Sequence, residues 1–350
     1  MNWFLTAGGF LLTCLGVWET FMAVLHPRAT VGPITKGINQ GFHFLVRTRV
    51  FAHPRVLVHC GPALIVTQVL CWATLLLIGI GLIVWPQLGA GITATGSTPT
   101  DTDFATAVYY SGFTITTLGV GDLVPRTPAM QFLTITAAGL GFSFFTLVLA
   151  YVISVYSTLA RRNQFANEIE YRTGRTGDSL GYLRAYLTDS DPSLVNQDLY
   201  TLSSNMAELL ESHHFYPVLH YFRFSEPRYA MSRMLRFCLE VSSMMRAARQ
   251  VDGYKPAASV EAVDRLWHAS MQMLEETKRH FVICHSTHDD PDPRLAIEIS
   301  QSIDDSDDLA SQLQAAFVDQ QSAWLHDLNA LAVCTRSEPV KESQNLFAKS

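Results

Sequence analysis

The run Thr117-Leu118-Gly119-Val120-Gly121-Asp122 gathers residues that can do chemistry without any reactive side chain. A backbone carbonyl oxygen is a hard ligand, and a row of carbonyls facing one line can replace the water shell of a dehydrated cation. Such a row needs alternate residues at positive φ, a conformation that a β-carbon resists and glycine allows. Gly119 and Gly121 stand at that spacing. The expected chemistry is cation coordination by the backbone of Thr117, Leu118, Gly119, Val120 and Gly121.

A backbone loop of this kind has to be held by the elements around it. The chain has 350 residues, 48% of them hydrophobic and 16% charged, and its mean hydropathy of +0.15 averages two unlike halves. Between Thr20 and Thr100 there is no acidic residue, and from Leu123 to Ala160 the only charge is Arg126, whereas charges are frequent after Arg161. This pattern predicts a membrane half followed by a soluble half. Residues 3–25 would reach roughly 34 Å as a helix, enough to cross a bilayer. No Lys or Arg precedes that run and no small-x-small site follows it, so a transmembrane helix is expected rather than a signal peptide. Residues 62–85 and 132–159 form the second and third spans. Gly79 and Gly81 would permit close helix contact in the second. Between these two spans, after a Gly/Thr/Ser-rich turret at 89–100, Asp101 or Thr102 can cap a short helix over 104–116. That helix is too short to span, so it must dip in and return, with the partial negative charge of its C-terminus favouring a cation.

Charge asymmetry sets the orientation. Arg28, Lys36, Arg47, Arg49 and Arg55 lie in a loop without acids, while the next loop carries Asp101 and Asp103 without a base. The first loop is expected in the cytoplasm, the second outside, the N-terminus outside and Arg161-Arg162 cytoplasmic. Residues 28–55 include an apolar/polar pattern at Ile38, Phe42, Phe44, Leu45 and Val46 that suits a surface helix on anionic lipid. The same charges would also serve by setting topology alone. Glu19 lies inside the first span, where pairing with Arg28, snorkelling to the interface and a part in gating are the readings open to it.

Residues 163–350 read as helical, with three/four spacing near 192–211, 228–250, 259–280 and 307–333. The fold class expected for the whole chain is all-α: a pore-type membrane domain over 1–162 and a regulatory helical cytoplasmic domain over 163–350. No strand followed by G-x-G-x-x-G supports a nucleotide-binding fold, and no basic aromatic stripe supports nucleic-acid binding. No nucleophile, base and orienting group are grouped as an enzyme requires. The six cysteines are scattered without a C-x-x-C pair, which implies neither a disulfide frame nor a zinc ribbon. His280, Cys284 and His288 share a four-residue spacing and form a weak candidate metal site that the following Asp-Asp-Pro-Asp-Pro run interrupts. His213, His214 and His220 lie among aromatic residues, a setting in which histidines can sense pH near neutrality or simply pack.

From 62 to 162 the sequence resembles the potassium-channel pore superfamily, in particular small bacterial channels with one filter per chain. The resemblance rests on Tyr109-Tyr110-Ser111 in the pore helix, the threonine-rich entry Thr114-Ile115-Thr116-Thr117, the filter Thr117-Leu118-Gly119-Val120-Gly121 and the exit Gly121-Asp122-Leu123-Val124-Pro125. It implies a homotetramer conducting potassium through carbonyl sites at Thr117, Leu118, Gly119 and Val120, with the Thr117 hydroxyl at the inner end. It also implies filter support from Tyr109, Tyr110, Thr116 and Asp122, and a gating hinge at Gly141 with Gly139 nearby. Ser143 and Thr146 in the third span are candidates for a cavity wall below the filter and equally for ordinary helix-contact residues. No cofactor is implied beyond the permeant ion, and no voltage sensor, since no span carries arginine at every third position. A regulatory ligand or partner for 163–350 is expected, of unknown chemistry. Two residues depart from the family pattern: Val120 replaces a tyrosine or phenylalanine, and Phe113 stands where some relatives place a carboxylate. Both remove polar braces, which predicts a looser filter. A non-selective cation pore, and a membrane-anchored interaction module with a vestigial pore, are the alternative readings.

Overall fold

The computed structural model describes residues 3–26, 32–47, 54–97, 99–188, 191–251, 258–281, 294–303 and 307–335, whose regular secondary structure is helical apart from one short hairpin. They fall into two units: residues 1–157 with 214–222, and residues 158–213 with 223–350.

α1 (Trp3–Val24) and α4 (Cys60–Val84) of the first unit, and α6 (Pro128–Arg172), which passes into the second unit at Thr158, are long and apolar enough to cross a membrane. α1 packs on α4 through small residues: a β-carbon on Gly9 would lie 2.5 Å from the Gly79 carbonyl, and one on Gly79 would lie 2.5 Å from the Thr13 hydroxyl. The close contact expected of Gly79 is therefore with the first helix. Gly81 instead faces Val108 and Ser111 of the short helix α5 (Phe104–Ile115) at ordinary distance.

Glu19 is fully buried. Its carboxylate accepts hydrogen bonds from the Ile34 N–H at 2.8 Å, the Thr35 N–H at 3.1 Å and the Thr35 hydroxyl at 2.6 Å. Those amides open α2 (Pro33–Arg47), so a carboxylate from one helix caps the next, as the free N–H groups and positive end of a helix favour. The Trp72 indole of α4 donates to the Thr35 hydroxyl at 3.1 Å and closes the group. Arg28, the partner expected for Glu19, lies outside the described residues.

The cap of α5 differs from expectation. Asp103, not Asp101 or Thr102, accepts the Thr106 N–H at 2.8 Å, because it directly precedes the first helical residue and its carboxylate reaches the third amide. The side-chain and backbone bonds with Thr106 hold the Asp103 carboxyl below its ordinary range. α6 starts four residues before the predicted span and runs unbroken to Arg172. A short helix α3 (Pro54–Leu57) precedes α4.

Residues 214–222 join the first unit although they lie in the half of the sequence expected to be soluble. The Phe222 ring fills the notch left by Gly61, where a β-carbon would come 2.7 Å from the ring. Phe222 also meets Tyr156 edge-on at 6.0 Å, and Tyr216 meets Tyr151 at 6.1 Å. The Tyr221 hydroxyl donates to the Asn39 carbonyl at 3.2 Å.

The second unit contains α7 (Ser179–Thr188), α8 (Pro192–Phe215), α9 (Met231–Gln250), α10 (Val260–Phe281), α11 (Arg294–Ile303), α12 (Asp307–Ser322) and α13 (Leu325–Thr335). α7 and α11 were not anticipated, and the single run expected at 307–333 is two helices. The break falls at Trp324, which is buried with its indole N–H donating to the Ser243 hydroxyl at 2.9 Å. α9 is buried on nearly all sides, with Met234, Leu235, Phe237, Cys238, Val241, Met244 and Met245 in the core, so it is the central helix of this unit. Cys334 is disulfide-bonded, a pairing that the scattered cysteines did not signal; Cys14, Cys60, Cys71 and Cys238 form no disulfide.

Candidate functional site

The loop at 117–121 has the backbone that carbonyl alignment requires. Thr117, Gly119 and Gly121 lie at φ of +56°, +62° and +82°, while Leu118 and Val120 between them do not enter that region. Thr117 is one of two described non-glycine residues at positive φ, and its hydroxyl donates to the Thr116 carbonyl at 2.7 Å. The glycine spacing foretold two of these three positions. The third needs a non-glycine residue in a costly conformation, which the surrounding structure must hold.

The foot of the loop is held by α5 itself. The Leu118 N–H donates to the Phe113 carbonyl at 2.9 Å and the Thr117 N–H to the Thr114 carbonyl at 3.1 Å. Carbonyls left over at the end of the short helix thus bind the first amides of the loop, satisfying groups that a buried helix end cannot leave unpaired. Gly141 of α6 sits against the same turn: a β-carbon there would overlap the Ile115 carbonyl, whereas Gly139 faces open space. Close packing is thus one physical reason for glycine at 141, and it is distinct from the hinge role.

The supporting residues divide by what they touch. The Tyr109 hydroxyl faces the Asp122 carboxylate directly beyond the loop, an electrostatic contact between α5 and the loop's far end. The hydroxyls of Tyr110 and Thr134 share a hydrogen bond of 2.6 Å, which ties α5 to α6. Thr116 bonds back to the Gly112 carbonyl of its own helix at 2.8 Å. Phe113 packs edge-on against Tyr109 at 5.3 Å and Tyr110 at 5.0 Å, so this position supplies an aromatic cluster where a carboxylate was the alternative. Ile80, Val84, Leu88, Ile92, Leu123 and Ala137 complete the core around it.

The brace that sequence reasoning missed is the turret. β1 (Ile92–Ala94) pairs antiparallel with β2 (Leu123–Pro125), with Ala94 opposite Leu123. One residue further, the Thr95 N–H donates to the Asp122 carbonyl at 2.7 Å and the Thr95 hydroxyl to the Gly121 carbonyl at 2.7 Å. The far end of the loop is therefore held by two hydrogen bonds from Thr95, which oppose the looseness expected from Val120 and Phe113. A three-residue strand in a Gly/Thr/Ser-rich stretch carries no period that would have revealed it.

Other predicted residues lie elsewhere. Ser143 and Thr146 are exposed on α6, and the Thr146 hydroxyl bonds the Phe142 carbonyl at 3.0 Å. Arg161 is exposed and pairs with Glu208 at 2.6 Å. Arg162 is buried; one guanidinium nitrogen donates to the Tyr229 carbonyl at 3.0 Å, and burial, with Arg223 as a second cause, pulls its pKa down to about 10. The side chains of His280, Cys284 and His288 lie outside the described residues, and no metal-holding cluster occurs among the described ones. His213 and His220 are buried.

Residues 64–158 match the model of a family described as "Ion channel". An uncharacterized membrane protein, YdjJ of Bacillus subtilis (strain 168), is 25% identical over 214 residues, 61% of this chain and 61% of that protein. This chain therefore spans under two thirds of that relative's length. No solved structure matches.

Proposed function

We propose that this membrane protein, whose residues 64–158 match the ion-channel family, is a potassium-preferring cation channel in which four copies each give one strand of a shared filter. The observation that carries the reading is the alternation of positive φ at Thr117, Gly119 and Gly121 at the exit of a helix too short to span. Tetramerisation is supported by α6, whose apolar stripe Phe132, Ile135, Phe142, Phe145, Leu149 and Ile153 is exposed in the single chain. It is the least covered of the three spans, as a helix that meets other copies around an axis would be.

The protein belongs in this reading to a prokaryotic inner membrane, N-terminus outside, with the second unit in the cytoplasm. α2, which carries Lys36, would rest against anionic lipid. The second unit gates the pore through the inner helix. Support comes from 214–222, which is joined to the second unit at both ends yet packs on Tyr151 and Tyr156 of α6.

The test is the reversal potential of purified protein in planar bilayers under opposing potassium and sodium gradients. A potassium-selective pore gives a potential near that of potassium, and Gly119→Val abolishes current, because the added side chain disfavours positive φ by about 1–2 kcal/mol in every copy. A potential of zero at equal opposing concentrations reduces the reading to a non-selective cation pore. Current unchanged in Gly119→Val removes the assignment of the filter to 117–121, and no current from wild type at any pH, calcium level or voltage removes the channel reading and leaves the interaction module.

A further inference from the structure

We infer that Thr95 is a positioning residue that fixes the outer end of the filter from within the same chain, an inference that rests on the cation-channel reading above. Val120 has no polar atom on its side chain, so this filter position cannot bond into its surroundings as a tyrosine would. Thr95 supplies the restraint from another direction. Its hydroxyl donates to the Gly121 carbonyl and its N–H to the Asp122 carbonyl, both at 2.7 Å, so two consecutive peptide groups at the exit are held by one residue.

A clamp orients its target only if it is itself held. Thr95 follows directly on β1, whose Ile92 is completely buried. The Ala94 N–H donates to the Thr100 hydroxyl at 2.9 Å, bracing the turret across its own loop. On the far strand the Arg126 N–H donates to the Gly91 carbonyl at 2.8 Å, and its Nε to the Thr93 hydroxyl at 3.0 Å. The hairpin is thus stapled at both ends, and Thr95 extends its ladder by one residue onto the filter. Because the Gly121 oxygen accepts from Thr95, the orientation of that peptide is set by the turret. The carbonyl before it, that of Val120, inherits the constraint through the shared backbone, and carbonyl orientation determines the field at an ion site.

The experiment compares wild type, Thr95→Val and Thr95→Ser in planar bilayers, reading the potassium/sodium permeability ratio and the unitary conductance. Valine matches threonine in shape and lacks the donor; serine keeps the donor. The backbone bond to Asp122 remains in both, and size-exclusion elution verifies that each variant assembles as wild type does. The expected result is a roughly two- to ten-fold fall in the ratio for Thr95→Val, the size of one neutral hydrogen bond, with Thr95→Ser within about two-fold of wild type on the same scale. A wild-type ratio and conductance in Thr95→Val overturn the inference, as does an equal loss in both variants, which would point to packing and not to the donor. If wild type conducts without discriminating, conductance alone decides by the same comparison. If wild type passes no current, the channel reading fails first and takes the inference with it.

Discussion

Gly141 and Gly139 lie two residues apart on one helix and meet opposite surroundings. A methyl group at 141 would collide with the Ile115 carbonyl, where α5 turns into the 117–121 loop, while a methyl group at 139 meets nothing within 4 Å. Gly141→Ala is therefore expected to destabilise by about 1–3 kcal/mol through overpacking against backbone that cannot move aside. Gly139→Ala is expected to be neutral or stabilising by up to about 1 kcal/mol, since alanine is the better helix former. Thermal unfolding in detergent, with current recorded in parallel, separates the two. A hinge role for Gly141 predicts altered opening with normal stability, so equal melting temperatures for Gly141→Ala and wild type would favour the hinge over the packing account.

Among the elements, the one with the least sequence signal is the segment 214–222, which belongs to the membrane unit while its neighbours on both sides do not. Phe222 fills the space over Gly61 and meets Tyr156 of the inner helix. Phe222→Ala removes a buried aromatic and is expected to cost about 3–5 kcal/mol. On the gating proposal it also changes the open probability without moving the reversal potential. An unchanged open probability would show that the contact holds the fold and does not transmit. The three long apolar helices, the short helix α5 and two of the three positive-φ positions were legible because bilayer thickness, helix length and glycine spacing are properties of contiguous residues. The turret hairpin, the cap that Glu19 places on α2, and the return of 214–222 were not. Each pairs groups far apart in sequence, and in each case one partner is a backbone amide, carbonyl or glycine notch that composition does not display.

At the scale of the whole chain, the second unit holds the far end of α6 by a charged network. Arg172, the last residue of that helix, bonds Asp198 at 2.8 Å, and the Tyr182 hydroxyl donates to the other Asp198 oxygen at 2.7 Å. Glu168 joins through Arg172 at 3.5 Å and accepts from the Asn205 amide at 2.7 Å. Asp198→Ala leaves a mostly buried guanidinium short of its main partner and is expected to destabilise the second unit by about 2–3 kcal/mol. Asp198→Asn, which can still accept from one donor, is expected to cost less; chemical denaturation of the three proteins checks the order. The interleaved chain path also bears on how such proteins can be cut and recombined. The second unit takes up the chain at 158, returns it to the first unit for 214–222 and receives it again at 223. The halves are consequently not interchangeable cassettes: a gene fusion that swaps everything after Arg162 carries away Tyr216 and Phe222 with the C-terminal half. A graft that preserves the membrane unit has to bring its own matching insert for Gly61, Tyr151 and Tyr156.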